Sequence, residues 1–219
     1  MCSIFEQNYC MKKIIVLFLI VPTISFAQNY SKAMEKKGID TNKYIPKGLN
    51  IGDSAPLIEG ISIYSTKINS NEIIKEKEIV VIFYRGEWCP VCNRYLQNLN
   101  DSLQSILDKN AEVLVIGPET FQNAEKITDK TKATFTLIPD TTLKILKDYD
   151  VLFNVTDKYQ KKIKTFLRTD IAESNNQEEA QLPVPATYIV GKNGLIKWRH
   201  FNYDYTERAS VKEILDYLE

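Results

Sequence analysis

Histidine and cysteine are scarce in this chain of 219 residues, and neither sign of charge is in excess. The chain has one histidine, His200, and four cysteines: Cys2, Cys10, Cys89 and Cys92. A structural zinc site takes about four ligands close together, so these residues argue against a metal site. The 28 basic residues balance the 28 acidic ones, and this balance indicates neither nucleic acid nor an anionic membrane as a partner.

The sequence also lacks an apolar run long enough to span a membrane. Its longest run, Ile14–Phe26, follows two lysines and contains a proline. As a helix it would reach only about 20 Å, whereas a bilayer core is about 30 Å thick. Ser25 and Ala27 place small residues at the two positions that a signal peptidase needs. Residues 1–27 are therefore predicted to be a short N-terminal extension and a signal peptide, which begins at Met11 and is cleaved near Ala27.

This signal predicts an exported protein of the periplasm or cell envelope, without stable membrane insertion after cleavage.

Cleavage would leave Cys89 and Cys92 as the cysteines of the mature chain. They lie between a buried-strand pattern at residues 78–86 and a helical pattern that begins near residue 90. At such a junction the helix dipole favours a thiolate on the first sulfur. A bridge that closes a loop of about four residues stabilises a fold by only about 2 kcal/mol, so a redox function is favoured over a structural one.

The hydrophobic periodicity predicts an α/β fold. Residues 28–50 form a polar leader arm that is expected to pack loosely, and residues 51–219 form one domain. Leu96, Leu99, Leu103, Ile106 and Leu107 mark the apolar face of the helix after the cysteines. Further patterns predict a short entry strand or hairpin at 51–66, strands at 111–118 and 135–140, a hairpin with a Lys-Asn-Gly turn at 185–201, and a final helix. This order predicts a central mixed β-sheet with helices on both faces.

The stretch from Thr156 to Gln181 allows two interpretations. Tyr159, Ile163, Phe166 or Leu167, and Ile171 mark one helical face, and a polar run follows them. A solvated helix and loop that connect two core elements would give this pattern. A lid or a docking surface beside the dithiol is the functional alternative.

Four stretches carry a resemblance to a known family. FYRGEWCPVCNRYL at residues 83–96 and LPVPATYIV at 182–190 resemble the thioredoxin superfamily. GDSAPLIEG at 52–60 and the long stretch at 113–151 are similar to the peroxiredoxin-like branch of the alkyl hydroperoxide reductase/thiol-specific antioxidant (AhpC/TSA) family. The resemblance covers roughly residues 50–219 and implies a thioredoxin-like fold.

The resemblance also implies roles for single residues. Cys89 would be the nucleophilic, peroxidatic thiol, and Cys92 the resolving thiol that closes a disulfide onto Cys89. Pro185 matches a cis-proline that faces the dithiol, and Val184 would then offer its backbone to a bound substrate chain. From the residues alone, Pro185 is equally well an ordinary proline at the start of a strand. Trp88, just before the first cysteine, is expected to pack as a substrate-facing rim against the dithiol. The implied partners are a hydroperoxide or disulfide substrate and an external thioredoxin-like reductant, with no metal or organic cofactor.

The sequence departs from the family at one motif. Peroxiredoxins carry Pro-x-x-x-Thr-x-x-Cys around the reactive thiol, and the matching positions here are Ile82 and Gly86. The threonine that polarises the peroxide is therefore missing. Arg85 could supply positive charge in its place, and a surface arginine is the alternative. Further candidates of the same kind are Arg168, Arg199 and Arg208.

Two other polar residues could take part in chemistry at the dithiol. Glu87 could relay a proton, although a loop carboxylate in solvent has the same sequence pattern. His200 could form a Cys–His nucleophile pair, but a dithiol needs no histidine.

Three functions follow from these features. The favoured one is an exported, peroxiredoxin-like antioxidant oxidoreductase that reduces hydroperoxides through the Cys-x-x-Cys dithiol. An envelope thiol-disulfide oxidoreductase that acts on protein disulfides is the alternative, favoured by the missing threonine. A non-catalytic binding module with a thioredoxin fold is the third.

Overall fold

The computed structural model describes residues 31–218, so the predicted extension and signal peptide lie outside the described residues. After a first helix, α1, at residues 31–36, the remaining elements follow in chain order. The strands are β1 (Glu59–Ile61), β2 (Lys67–Asn69), β3 (Glu78–Phe83), β4 (Ala111–Gly117), β5 (Thr136–Pro139), β6 (Leu152–Asn154), β7 (Gln181–Pro183), β8 (Thr187–Val190) and β9 (Ile196–His200). The other helices are α2 (Ser70–Ile73), α3 (Pro90–Asp101), α4 (Leu103–Leu107), α5 (Phe121–Thr131), α6 (Lys144–Asp148), α7 (Asp157–Leu167), α8 (Ile171–Ser174) and α9 (Val211–Tyr217).

The central sheet has five strands in the order β5-β4-β3-β8-β9. β3, β4 and β5 are parallel, whereas β8 and β9 run antiparallel to their neighbours. β3 and β4, two interior strands of the sheet, are continuous apolar runs because both faces of the sheet are covered. The predicted mixed sheet with helices on both faces is confirmed.

Alternate residues of β3 pack into two different cores. Val80 and Ile82 belong to the larger core, together with Cys89, Cys92 and apolar residues of α3, α5, α7 and α9. The side chains on the opposite face of β3 pack with α6 and the first hairpin. They are Ile79, Val81 and Phe83. The dithiol is therefore anchored in the larger core, at the carboxyl end of β3, where open α/β sheets place their ligands.

The helix after the cysteines differs in detail from its prediction. α3 ends at Asp101, and α4 begins at Leu103 after the break at Ser102. Four of the five predicted apolar positions are buried, but Leu107 is 37% exposed. Leu107 is the last residue of α4 and lies about 100° around the helix from buried Ile106, at the edge of the apolar face.

Two segments pack more tightly than the sequence indicated. The leader arm places Met34 and Ile39 in the larger core, and Ile39 forms an isolated bridge with Val155. The expectation of loose packing was therefore wrong for residues 31–50, because two apolar side chains in a polar stretch suffice to anchor it. β6 and β7 form a second small sheet. Its strands have three residues each, too few to give a strand pattern in the sequence.

The hairpin of β8 and β9 agrees with its predicted turn. Gly194 has a φ of 76°, a backbone conformation that favours glycine, and Gly191 N–H donates to Leu195 O at 2.9 Å across the turn. Within residues 31–218, no helix is both long and apolar enough to cross a membrane.

Candidate active site

Cys89 and Cys92 lie at the junction of a loop and α3, directly after β3. Cys89 is the N-cap residue of α3, and Pro90 occupies the first position of the helix, where its missing N–H costs nothing. The Cys89 N–H donates to Gly86 O at 3.1 Å, which fixes the turn before the helix. Both cysteines are free thiols; Cys89 is 2% exposed and Cys92 is fully buried. The sulfur of Cys89 thus meets the positive end of the helix dipole.

The two thiols have opposite pKa shifts. A hydrogen bond from the Cys92 side chain is the largest cause that lowers the pKa of Cys89 to about 6, and the Arg85 and Arg208 charges lower it further. Burial is the main cause that raises the pKa of Cys92 well above its ordinary value. Cys89 is therefore a thiolate at neutral pH, and Cys92 remains a thiol that can donate to it.

Arg85 places a buried positive charge beside the thiolate. Its side chain is 1% exposed, and its guanidinium lies over the rings of Tyr205 at 4.1 Å, Tyr159 at 5.1 Å and Trp88 at 5.3 Å. Arg85 Nη2 donates to the Tyr159 hydroxyl at 2.9 Å, while its Nε has no hydrogen-bond partner in the described chain. No carboxylate of residues 31–218 forms an ion pair with Arg85, so the thiolate of Cys89 is the counter-charge that the structure offers.

Arg208 is the second positive charge that acts on the dithiol. Its Nη1 donates to Pro185 O at 3.3 Å and its guanidinium lies 4.7 Å from the Tyr95 ring. Its Nε and Nη2 have no hydrogen-bond partner among the described residues. Two of the four candidate arginines therefore act on the thiols. Arg199 instead donates to Leu49 O at 2.6 Å, and Arg168 is exposed at the end of α7.

Glu87 and His200 have partners other than the thiols. The Glu87 carboxylate forms an ion pair with Lys130. His200 lies on β9, and its Nε2 contacts Glu207 O at 3.2 Å. The structure therefore gives no support to a Cys–His pair.

Glu119 and Tyr84 are site residues that the sequence reasoning missed. Glu119 is completely buried, accepts a hydrogen bond from Glu87 N–H at 2.8 Å and another from the Tyr84 hydroxyl. Burial is the main cause that raises the pKa of Glu119 to about 7, and the negative charge of Glu87 contributes in the same direction. The available clue was positional. Both residues lie just after neighbouring parallel strands, whose carboxyl ends meet at one edge of the sheet.

A mainly apolar cavity of about 270 Å³ opens beside Cys89. One wall is the site loop and the start of α3, with Trp88 and Val91, and the other wall is α7. The structure thus brings α7, the first helix of the stretch from Thr156 to Gln181, to the dithiol. Of its predicted apolar face, Ile163 is buried, and Phe166 is 76% exposed at the cavity.

Residues 51–199 match the AhpC/TSA family. The chain belongs to the AhpC/TSA family. No curated protein sequence gives a significant match.

Solved peroxiredoxins share the fold of this AhpC/TSA family member. Peroxidoxin BcpB from Mycobacterium tuberculosis is 13% identical with a TM-score of 0.59, and the alignment covers 78% of this chain and 96% of that one. A mutant PrxQ from Xylella fastidiosa is 18% identical with a TM-score of 0.58, over 78% and 95% of the two chains. A reduced 2-Cys peroxiredoxin from Plasmodium vivax is 19% identical with a TM-score of 0.57, over 76% and 79%. The family membership supports a thiol peroxidase enzyme.

Gly86 explains why this AhpC/TSA family member lacks the motif threonine. Its φ is 144°, a conformation that residues with a side chain rarely adopt. A Cβ at this position would lie 2.4 Å from Trp88 Nε1. The backbone therefore excludes a threonine here, and the donors near the sulfur come from Arg85 and Arg208 instead.

Pro185 departs from the superfamily expectation. The described chain contains no cis peptide bond, so the predicted cis-proline was wrong. Pro185 instead occupies the centre of a tight turn, in which Ala186 N–H donates to Val184 O at 2.8 Å. The Val184 N–H donates to Val151 O, also at 2.8 Å. Both backbone groups of Val184 thus have partners within the chain, and a docking substrate strand would have to break these bonds.

Proposed function

We propose that this protein is an exported thiol peroxidase that reduces hydroperoxides through Cys89 and Cys92. The observation that carries the proposal is the Cys89 thiolate, which lies at the N-cap of α3 beside the buried Arg85 charge. A low pKa and a nearby cation are the features that make a cysteine reactive at neutral pH. Membership in the AhpC/TSA family supports the same chemistry.

The proposed reaction has two chemical steps. The thiolate of Cys89 attacks one peroxide oxygen; the S–O bond forms, the O–O bond breaks, and the leaving oxygen takes a proton to become water or an alcohol. Cys92 then attacks the sulfenic sulfur of Cys89, which forms the disulfide and releases water. An external thioredoxin-like dithiol returns the pair to thiols.

The unpaired donors of the two arginines suit the first step. Arg85 Nε and the Nε and Nη2 atoms of Arg208 are buried N–H donors without partners among the described residues. Buried donors of this kind are costly unless a ligand supplies an acceptor. A peroxide oxygen near the Cys89 sulfur would be such an acceptor, so these groups replace the donor that Gly86 cannot provide.

Exchange with protein disulfides is a second candidate function. Cys89 and Cys92 are both free thiols, and Cys92 is close enough to Cys89 to resolve a mixed disulfide. The internal hydrogen bonds of Val184 argue against it, since they occupy the backbone groups that a protein substrate would need.

A rapid-mixing experiment separates the two. Reduced protein is mixed with hydrogen peroxide, with an alkyl hydroperoxide and with a disulfide-bonded protein, and sulfenic acid at Cys89 is trapped and located by mass spectrometry. Fast sulfenic acid formation that is lost in Cys89→Ser supports the peroxidase. Inertness to both peroxides with rapid disulfide exchange rejects it, and inertness to all three leaves the binding module.

Export is a separate part of the proposal, supported by the basic pair and apolar run at residues 12–26. Cell fractionation and N-terminal sequencing of the mature protein test it. A chain that begins near residue 28 outside the cytoplasm is the expected result, and an intact N-terminus in the cytoplasm would contradict it.

A further inference from the structure

Two segments that pack around the candidate site lie outside the part of the chain that matches the AhpC/TSA family. The match covers residues 51–199. The leader arm precedes it, and a loop at residues 201–210, between β9 and α9, follows it. The arm packs against one ring that contacts the buried Arg85, and the 201–210 loop supplies another. Both segments therefore bear on how Arg85 is held.

Tyr205, in the 201–210 loop, is the closest of the three rings around the Arg85 guanidinium. The centroid of its ring lies 4.1 Å from Arg85 Cζ, against 5.1 Å for Tyr159 and 5.3 Å for Trp88. Tyr205 and Arg85 both line the cavity beside Cys89. A contact between a cation and a ring is stronger when the two groups are removed from water. A ring from outside the family match therefore holds Arg85 at this cavity.

An ion pair fixes the turn that carries Tyr205. Lys37 Nζ, from the leader arm, lies 2.5 Å from Asp204 Oδ2 and 5.4 Å from the centroid of the Tyr205 ring. Asp204 also accepts hydrogen bonds from the Thr206 N–H at 3.0 Å and from the Thr206 hydroxyl at 2.7 Å. Burial would raise the pKa of Asp204, but the hydrogen bonds from Lys37 and Thr206 lower it to about 2. Asp204 is therefore charged at neutral pH and joins the arm to the turn.

The leader arm also holds the second ring, that of Tyr159. Gly38 O accepts a hydrogen bond at 2.9 Å from the N–H of Thr156, the N-cap residue of α7. Gly38 has a φ of 101°, and a Cβ at this position would lie 2.8 Å from the Tyr159 ring. Only a glycine lets the arm approach the ring so closely. The arm thus supports the Tyr159 ring, whose hydroxyl accepts the hydrogen bond from Arg85 at 2.9 Å.

We propose that the leader arm and the 201–210 loop form a clamp that keeps Arg85 beside the Cys89 sulfur. Its members surround or support the guanidinium, and they are Lys37, Gly38, Tyr159, Asp204 and Tyr205. Tyr159 and Tyr205 are positioning residues, since they act on the thiol through Arg85. The inference rests on the proposed peroxidase function and deepens it, because it identifies what keeps the nucleophile reactive. Without the Tyr205 ring, Arg85 is free to turn toward water, where its charge is screened and stabilises the thiolate less.

The test measures the pKa of Cys89 from its alkylation by iodoacetamide across the pH range, which requires no peroxide. Tyr205→Leu removes the ring, and the Cys89 pKa should rise from about 6 by about one-half to one unit. Alkylation at pH 6 should then be about two- to fivefold slower than in the wild type. Tyr205→Phe keeps the ring and should keep the wild-type pKa. An unchanged pKa in Tyr205→Leu, or the same rise in both variants, would overturn the inference.

A second pair of variants separates positioning from a direct effect of charge, at side chains that are partly exposed. Lys37→Met removes a positive charge and Asp204→Asn removes a negative one, yet both break the same ion pair. Loss of the clamp should raise the Cys89 pKa in both variants, by less than in Tyr205→Leu. A direct charge effect would instead shift the two pKa values in opposite directions, and this result would reject the clamp.

Lys43→Met is the matched control. Lys43 lies in the same arm and pairs with Glu179 at 3.0 Å, but it does not line the cavity beside Cys89. This variant should keep the wild-type Cys89 pKa, and a rise equal to that in Lys37→Met would count against the clamp. Failure of every peroxide to oxidise Cys89 would instead reject the proposed function, while the pKa shifts in the clamp variants would still decide the inference.

Discussion

The hydrogen bond from Cys92 to the Cys89 sulfur can be tested with two substitutions of nearly equal size. Cys92→Ala removes the donor, whereas Cys92→Ser keeps an O–H group in the same place. Because this hydrogen bond is the largest cause of the low Cys89 pKa, the alanine variant should have a higher Cys89 pKa than the serine variant.

The expected difference follows from the energy of a hydrogen bond to a charged group. Such a bond contributes about 1.5 to 3 kcal/mol, and one pKa unit corresponds to about 1.4 kcal/mol. Cys92→Ala should therefore raise the Cys89 pKa from about 6 by roughly 1 to 2 units. At pH 7 the thiolate fraction would fall from about nine-tenths to between about one-half and one-tenth.

The pKa is measured from the rate of Cys89 alkylation by iodoacetamide across the pH range, with the modified peptide resolved by mass spectrometry so that other thiols do not contribute. Cys92→Ser should remain near the wild-type pKa. The same pKa in both variants would refute the assigned hydrogen bond, and a wild-type pKa near 9 would refute the thiolate itself.

Three further predictions concern residues around the dithiol. Gly86→Thr should destabilise the fold by about 1 to 3 kcal/mol in urea unfolding and should not raise peroxidase activity, because of the positive φ and the contact with Trp88; a stable, more active variant would contradict this. Glu119→Gln should stabilise the protein by up to about 3 kcal/mol at pH 8 and not at pH 4, measured by unfolding at both pH values. The sign follows because the folded state, with the Glu119 pKa near 7, holds the proton more tightly than the unfolded chain, so wild-type stability falls as pH rises from about 4.5 to 7. Arg85→Lys should slow Cys89 oxidation by about tenfold or more in stopped flow, since lysine keeps the charge but loses the planar contacts with three rings; an unchanged rate would show that charge alone suffices.

The sequence predicted the fold well where local patterns determine structure. Continuous apolar runs gave β3 and β4, helical spacing gave α3, and the Lys-Asn-Gly turn gave the last hairpin. The leader arm escaped prediction because Met34 and Ile39 are isolated apolar residues, and their burial depends on where distant segments lie.

Only the site residues that are close together in the sequence were predicted. Cys89 and Cys92 are recognisable because the strand, the spacing and the helix start are contiguous in the chain. Arg85 was one candidate among several arginines, since its burial depends on Tyr159 and Tyr205, which are far away in the sequence. Glu119 was not among the candidate residues, because only the pairing of β3 with β4 brings it near the dithiol.

The low pKa of Cys89 also bears on the choice between peroxide and protein disulfide as oxidant. At pH 7, a Cys89 pKa of about 6 stabilises the reduced protein by about 1.4 kcal/mol relative to an unperturbed thiol. For a two-electron couple this raises the reduction potential by about 30 mV, which makes the disulfide easier for an external dithiol to reduce. The attraction between buried Arg85 and the thiolate is part of this energy, because the Arg85 charge is one cause of the low pKa. A reductase of protein disulfides would lose this driving force. A peroxidase is not impaired in this way, because cleavage of the O–O bond drives the oxidation of Cys89. A disulfide that is easier to reduce also favours regeneration of the two thiols.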